Sequence, residues 1–434
     1  MKIIKHNQFK NVKMNRFPSK IPENWNVKKI KDISICLDSK RKPLNSSQRS
    51  KVQGKYPYWG SSNIVDYIDS YLIDDNVILL GEDAAPFFDK TRPVAHLSSG
   101  KIWPNNHIHV LKSSENNYFL KSYLNYIDYN KIISIKIRPK LTKSMMENIE
   151  IAIPSLEQQD KISNVLLMQE TQVENIKDLI KKIEKRNQYY AEKIISGELR
   201  VRENDSGDLK LYSNTEWEDK NIKNTFSTKK YRIPKGWKIE KLLDNVKLTK
   251  GTSINSSAFN YQGLGYQFLR TGDVWEEASS KKEPAYFDGI VDDKFIKKED
   301  DYLSCFEGFN KIIGDGTIGL VTNVGEGIIS SHLYKTENQK IDGKYYAVSL
   351  IKTNYIQNIL IRNAVGSTVL SSTKCLKNIM FIFPEEEEMM LIEKTLSPLY
   401  LEINNLRKLL TKEQLRFQWL LDNLLSGEYQ VVDE

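Results

Sequence analysis

IPSLEQQDKISNVLLMQETQVENIKDLIKKIEKRNQYYAEKIISGE, residues 153–198, and FPEEEEMMLIEKTLSPLYLEINNLRKLLTKEQLRFQWLLDNLLSGE, residues 383–428, align without a gap at an offset of 230. In the first stretch apolar residues step by four and three: Ile162, Leu166, Val173, Ile176, Ile180, Ile183, Tyr190 and Ile194, with Gln169 and Asn187 as polar interruptions. The second gives Ile392, Leu396, Leu399, Ile403, Leu406, Leu410, Phe417, Leu420 and Leu424, with Glu413 as the one polar member. A 3.5-residue repeat sustained this long buries one stripe of a helix against another. Pro154 and Pro384 precede the two stretches, and Ser196-Gly197 and Ser426-Gly427 close them, where glycine takes the left-handed cap. The spacing therefore predicts two long helices, the first running from Ser155 to Ser196 over about 63 Å. A helix of that length with a single apolar stripe is not stable alone, so the two pair antiparallel within the chain. Pairing about their midpoints sets Gln169 near Phe417, Val173 near Glu413 and Asn187 near Leu399. The three polar seam residues either fix this register or lie exposed.

Working outward, a second repeat appears ahead of each helix: Ile21-Pro22-Glu23-Asn24-Trp25 against Ile233-Pro234-Lys235-Gly236-Trp237, at an offset of 212. Between these marks and the helices lie short β-rich runs (Asn76 to Leu80, Ile108 to Leu111, Tyr266 to Arg270, Gly327 to Ser331) and short helical ones (Tyr118 to Tyr126, Tyr345 to Ile351), broken by Gly, Asn and Ser. The expected class is α+β: two α/β globules separated by two long helices that form an intramolecular antiparallel coiled coil, with an internal pseudo-two-fold repeat. The divisions are an N-terminal extension (1–18), a first globule (19–153), a central helix (154–201), a linker (202–231), a second globule (232–383), and the second helix with its tail (384–434). The linker reads as polar and without periodicity.

The 434 residues carry a formal charge of +8, distributed unevenly: residues 1–150 hold 25 basic against 14 acidic side chains, whereas residues 381–434 hold 5 against 11. Excess positive charge concentrated in the globules suits a polyanionic partner. No apolar run approaches the roughly 18 residues of a membrane helix, and the basic start lacks the apolar core of a secretory signal, which places the chain in the cytoplasm. Cys36, Cys305 and Cys375 lie far apart, so neither a disulfide framework nor a cysteine zinc site is encoded. No Asn-Pro-Pro-Tyr or Asp-Pro-Pro-Tyr loop is present to hold a flipped base, and the Gly-Lys pairs are followed by Tyr or Ile rather than the Ser or Thr of a phosphate loop. His107 and His109 share a strand face without further ligands to complete a metal site, so no metal is expected.

These motifs together resemble the DNA specificity subunit of type I restriction-modification systems, over nearly all of the chain after about residue 18. In that family two target-recognition domains alternate with two long helices, each domain opening on an Ile-Pro-x-x-Trp element. Tyr58-Trp59-Gly60-Ser61-Ser62-Asn63 is similar to a Tyr-Gly-x-Asn element of one target-domain subclass, and Gly314 to Gly319 to the glycine-rich turn of another. Pro154, Glu157, Gln158 and Gln159, with Ser196 to Val201, match the family's closing motifs. The second copy lacks the glutamines, which implies an uneven methyltransferase-facing surface between the halves. Landmarks also recur at unequal offsets, Gly81 to Gly314 at 233 and His107 to His332 at 225, as expected if loops differ between the two domains.

The resemblance implies a non-catalytic subunit that reads a bipartite, asymmetric target in double-stranded DNA. It also implies two methyltransferase subunits as partners, with restriction or translocase subunits where a restriction complex forms. The chain itself needs no cofactor; S-adenosylmethionine belongs to the methyltransferase. A catalytic modification enzyme with unrecognised motifs and a coiled-coil scaffold that binds no DNA are the alternatives. Base edges are read by Arg, Lys, Asn or Gln, and phosphates are held by Lys, Ser, Thr and backbone amides. In the first domain the candidate contacts are Lys40, Arg41, Lys42, Tyr58, Trp59, Ser61, Asn63, Lys90, Arg92, Asn105, Asn106 and His107, with Trp59 equally readable as core. In the second they are Lys250, Thr252, Ser253, Arg270, Thr271, Asp273, Thr317, Ser330, Ser331, His332, Ser367, Thr368 and Lys374.

Overall fold

The computed structural model describes residues 2–15, 17–89, 92–133, 139–224, 227–274, 283–308, 318–319, 321–323, 325–366 and 370–433. Of the sequence candidates, Lys90, Thr317, Ser367 and Thr368 lie outside the described residues, as does most of the Gly314 to Gly319 turn. The chain divides into two compact units, residues 1–177 with 408–434, and residues 178–407. Each unit therefore contains one globule and half of each long helix, a division that cuts across the helices rather than at their ends.

The helices are α1 (Leu156–Ile195) and α2 (Glu386–Leu425), each 40 residues. They pack together within each unit. In unit 2, Asn187 Nδ2 donates to the Leu399 carbonyl at 2.8 Å, and Arg407 reaches Glu184 at 2.8 Å, so the direction is antiparallel. In unit 1, Gln169 Nε2 donates to Glu413 Oε2 at 2.8 Å and to its carbonyl at 3.3 Å. Asn187 thus meets Leu399 as the midpoint register requires, whereas Gln169 is bonded to Glu413, one turn from the expected Phe417. Gln169, Asn187 and Glu413 are all buried, which settles their role: they are matched polar groups within an apolar seam. Ile162, Leu166, Val173, Ile176, Ile180, Ile183, Ile392 and Leu396 are buried along it, and Leu399, Ile403, Leu406, Leu410 and Phe417 are half-buried.

The two units repeat one topology strand for strand. Unit 1 has a four-stranded antiparallel sheet in the order Ala95–Ser98, Val77–Gly81, Ile108–Ser113, Ser34–Cys36; unit 2 has Val321–Thr322, Leu303–Cys305, Leu333–Asn338, Val246–Lys250. A second sheet in unit 1 runs Ile64–Ile68, Gln53–Trp59, Lys101–Pro104, Ile73–Asp74; its counterpart runs Tyr286–Phe287, Tyr266–Leu269, Gly327–Ile329, Ile296–Lys297. In both, the central pair is parallel. The short helices fall at Asn117–Tyr126 and Tyr345–Lys352. Register pairs Gly81 with Ile108 and Cys305 with Leu333, so the counterpart of Gly81 is Cys305, at an offset of 224, and not Gly314.

Residues 202–231 are not a bare linker. Leu199–Glu203 pairs with Leu209–Ser213, and Trp217–Asn224 with Ser227–Pro234. The N-terminal extension is the same device: Lys2–Lys5 pairs with Tyr429–Val432, and Phe9–Met14 with Phe17–Pro22. The ribbons add Met14, Ile21 and Val431 to one core and Val201 and Ile233 to the other, but their alternating runs, such as Leu199-Arg200-Val201 and Leu209-Lys210-Leu211, are short and set among charged residues.

The two motifs that frame each globule touch one another. Trp25 and Trp237 are fully buried. Gly427 (φ +75°) and Gly197 (φ +73°) end α2 and α1 in the left-handed region. A Cβ on Gly197 would stand 2.1 Å from the Pro234 ring and 3.3 Å from Trp237; on Gly427 it would stand 2.6 Å from Pro22 and 3.3 Å from Trp25. Each Ser-Gly stop is thus the seat of an Ile-Pro-x-x-Trp element: α2 closes on the first globule and α1 on the second. Gln159 is likewise internal. Its side chain accepts from Asn116 N at 3.0 Å and donates to Glu115 at 2.8 Å, pinning the start of Asn117–Tyr126. In unit 2 the buried Glu393 does that work, accepting from the amides of Lys344, Tyr345 and Tyr346 at 2.7–3.0 Å. The missing glutamine at Met389 is therefore a change of core, and Gln159 does not belong to a partner-facing surface.

Candidate nucleic-acid interface

In each unit four chain segments that are distant in sequence end at one corner. In unit 1 they are the loop 38–42, the turn 60–63, residues 82–83 at the end of Val77–Gly81, and the loop 105–107. Backbone hydrogen bonds tie them: Lys42 N to Pro104 O, 3.1 Å; Asn105 N to Trp59 O, 3.1 Å; Gly60 N to Asn63 O, 2.8 Å; Glu82 N to His107 O, 2.9 Å. Unit 2 builds its corner from 250–253, 270–273, 307 and 330–332, through Gly251 N to Leu333 O, Thr252 N to Ile329 O and Ser330 N to Leu269 O, at 2.9–3.1 Å. Gly251 is needed for close approach, since a Cβ there would lie 2.3 Å from the carbonyl oxygens of Ile329 and Ser330. The structure therefore gathers most of the sequence candidates in each half into one place.

It also separates those that can meet a ligand from those that cannot. Lys40, Lys42, Asn63, Asn106, His107, Lys250, Ser253, His332 and Lys374 are exposed, and Ser61, Thr252, Thr271 and Ser331 are half-buried. Tyr58 is a correction: it is 2% exposed, its hydroxyl accepting from Leu44 N at 2.8 Å. Trp59, at 8%, is core, as its alternative reading had it. Asn105 is buried because its side chain accepts from His107 N at 2.7 Å and shapes the loop. Ser330 is buried beneath the corner.

Two of the three candidate arginines are engaged internally. Arg41 bonds Glu82 at 2.6 Å, Asp38 at 3.2 Å and the Ile108 carbonyl at 3.0 Å. Arg270 makes a bidentate pair with Asp273, 2.7 and 3.0 Å, and donates to the Glu283 carbonyl. Asp273 is occupied by the same pair. Their forks shape the corner rather than face outward. Arg92 is exposed and borders a groove of about 1100 Å³ in unit 1, which Lys121, Asn125 and Phe417 also line.

His109 is fully buried, apart from the exposed His107, with Asp38 and Glu82 gathered around it within 4.8 Å. Arg41 bonds both carboxylates, Lys140 stands 3.2 Å from Glu82, and His109 Nε2 faces the Leu141 carbonyl at 2.7 Å. The cluster is a neutralised knot rather than a cation site. Burial alone would raise the Asp38 carboxyl, but the hydrogen bonds from His109 and the Val110 amide, with the charge of Arg41, outweigh it and hold it below the usual carboxylate range.

Sequence reading missed the acids that orient the corner, Asp83 and Glu307, because the search for polyanion contacts took cations and amides. The available signal was positional: each lies two residues beyond the strand end that Gly81 and Cys305 mark.

A duplicated frame with one polar, basic-rimmed corner per copy defines a two-module binding protein. Residues 22–185 match the family described as Type I restriction modification DNA specificity domain. A putative type I restriction enzyme specificity subunit of Haemophilus influenzae is 35% identical over 160 residues, a match that spans 36% of this chain and 40% of that one. The type I restriction enzyme MjaIX specificity subunit of Methanocaldococcus jannaschii is 22% identical over 95% of both chains. The crystal structure of a type I S subunit from M. genitalium shares the fold at a TM-score of 0.55 and 14% identity, covering 93% of this chain and 96% of that one. Residues 22–185 thus carry the type I DNA specificity domain, and the chain is similar over nearly its whole length to type I specificity subunits.

Proposed function

We propose that each unit reads one half of a bipartite target in double-stranded DNA, and that the chain performs no chemistry but presents the bound duplex to a separate methyltransferase. The observation that supports this most is the repeated corner: one backbone, assembled from the same four segments in both units, carries different side chains in each, so the two copies recognise different half-sites. Lys40, Lys42 and Lys140 around one corner, and Lys250 at the other, supply the sequence-independent attraction to phosphates. Two methyltransferase subunits bind per chain, following the repeat, and S-adenosylmethionine is held by them; restriction or translocase subunits join where the system cleaves.

Co-expression of the chain with its methyltransferase, followed by methylome sequencing, should yield one split motif. The chain alone should bind DNA in gel shifts yet methylate nothing. Methyl transfer by the chain alone, or an unsplit motif, would overturn the proposal.

A further inference from the structure

His107 and His332 occupy one position in the repeat. Each is the residue immediately before the central strand of the antiparallel sheet, Ile108–Ser113 or Leu333–Asn338. Both side chains are well exposed, 50% and 61%, and yet each ring is fixed at Nδ1: by Asp83 Oδ1 at 2.6 Å, and by Glu307 Oε2 at 2.5 Å. Asp83 and Glu307 are themselves repeat partners, at the offset of 224 that relates Gly81 to Cys305. One carboxylate is a methylene longer than the other, and both reach the same ring atom.

The surroundings have not been kept in this way. Sheet register places Lys250 where unit 1 has Asp38 and Tyr334 where it has His109. Phe306, in the core, stands where unit 1 has Glu82. The two corners have thus exchanged charged, aromatic and apolar groups around a histidine–carboxylate pair that both retain. A pair that served only to tie the loop would have had substitutes of that kind open to it.

The chemistry of the pair is specific. A carboxylate is an acceptor, so a neutral ring paired with it holds its proton on Nδ1, and the second nitrogen, Nε2, then carries the lone pair. Among the described residues neither Nε2 has a hydrogen-bond partner. We infer that His107 and His332 are base-reading residues, one for each half-site, with Nε2 accepting from the exocyclic amino group of adenine or cytosine in the major groove. Asp83 and Glu307 are positioning residues that set the tautomer. Those amino groups are the donors that the major groove presents, and an acceptor distinguishes them from the O6 and O4 of guanine and thymine. The inference rests on the DNA-reading function proposed above and names the atoms that perform part of it.

The test is selection from randomised duplex DNA by the full-length chain in complex with its methyltransferase. His107→Ala should flatten the preference at one base pair of one half-site by about tenfold, and His332→Ala should do the same in the other half-site. His107→Gln, whose amide oxygen is still an acceptor, should keep part of the preference. Asp83→Asn should weaken it at the same base pair as His107→Ala. Unchanged half-sites in both alanine variants would overturn the inference, as would an equal loss of affinity for every sequence, which marks a phosphate contact. An unsubstituted complex that selects no split sequence would instead remove the DNA-reading function itself. Both histidines are exposed and Asp83 is half-buried, and an unchanged urea midpoint in each variant confirms that a loss is not one of folding.

Discussion

At the joint where a helix end meets the buried tryptophan, the two units solve one problem with opposite chemistry. In unit 2, Glu388 accepts from Trp237 Nε1 at 2.9 Å and pairs with Arg200, whose guanidinium lies 5.6 Å from the centre of the indole. In unit 1 the offset of 230 puts Gln158 and Gln430 at those positions, and His6 lies edge-on to Trp25 with ring centroids 6.5 Å apart. Trp25 Nε1, Gln158 Nε2 and His6 Nε2 are buried without partners among the described residues. A charged joint and a neutral one hold the same backbone, so the tryptophan, the glycine and the proline specify the joint, and the polar groups adapt around them.

The widest test of that view removes the shared part. Trp25→Ala and Trp237→Ala should each cost about 3–5 kcal/mol, and hydrogen exchange should show the loss in the unit that bears the change. A loss confined to one of the two variants would mean that the joints are not equivalent. The next test removes the part that differs. Glu388→Gln leaves Arg200 half-buried and unpaired and should cost about 2–3 kcal/mol. Adding Arg200→Gln copies unit 1 and should recover a large part of that cost; a double-mutant cycle without coupling would show that the ion pair contributes nothing.

A smaller contrast lies in the second sheet, where Lys297 of unit 2 is buried at the position held by Ile73 in unit 1. Burial lowers its amine to about 8, with partial opposition from Asp301 and Glu326. The unfolded chain binds this proton more tightly than the folded one, so unit 2 should gain stability as pH rises from about 8 toward 10.5. Lys297→Met should abolish that slope and stabilise the protein at neutral pH by about 1 kcal/mol. A slope that survives the substitution would assign it to other groups.

The smallest expected effect is at His6, which burial holds below its ordinary 6.5. The unfolded state takes up the proton first, so unit 1 should weaken as pH falls below about 6.5, while unit 2, with Asn214 at that place, should not. His6→Asn should remove the difference, as read by exchange rates in strand Lys2–Lys5.

The helices were legible because a seam with the 3.5-residue period repeats twice with its stop signals attached, and the resemblance placed the domains between them. Two parts of the frame were not legible. The ribbons at 2–22 and 199–234 alternate over only two or three apolar positions among charged residues, and the assignment of Gly81 to Gly314 rested on residue type where sheet register makes Cys305 the counterpart of Gly81. At the corner, composition found the loops but not the direction of the side chains. Arg41 and Arg270 were candidate contacts by residue type, and both are held by acids close by in space; no spacing rule marks such a pair when, as with Arg41 and Glu82, it forms across loops.

The pairing of Lys2–Lys5 with Tyr429–Val432 has a consequence for the order of synthesis. Residues 178–407 emerge as one continuous stretch, and unit 2 has every one of its described strands before residues 408–434 are made. Unit 1 begins before unit 2 and closes after it: its tryptophan waits for Gly427, and strand Lys2–Lys5 for Tyr429–Val432 to leave the ribosome. Until then the N-terminal half presents an open sheet edge and an uncovered apolar joint, so this half is the one a nascent-chain chaperone would meet.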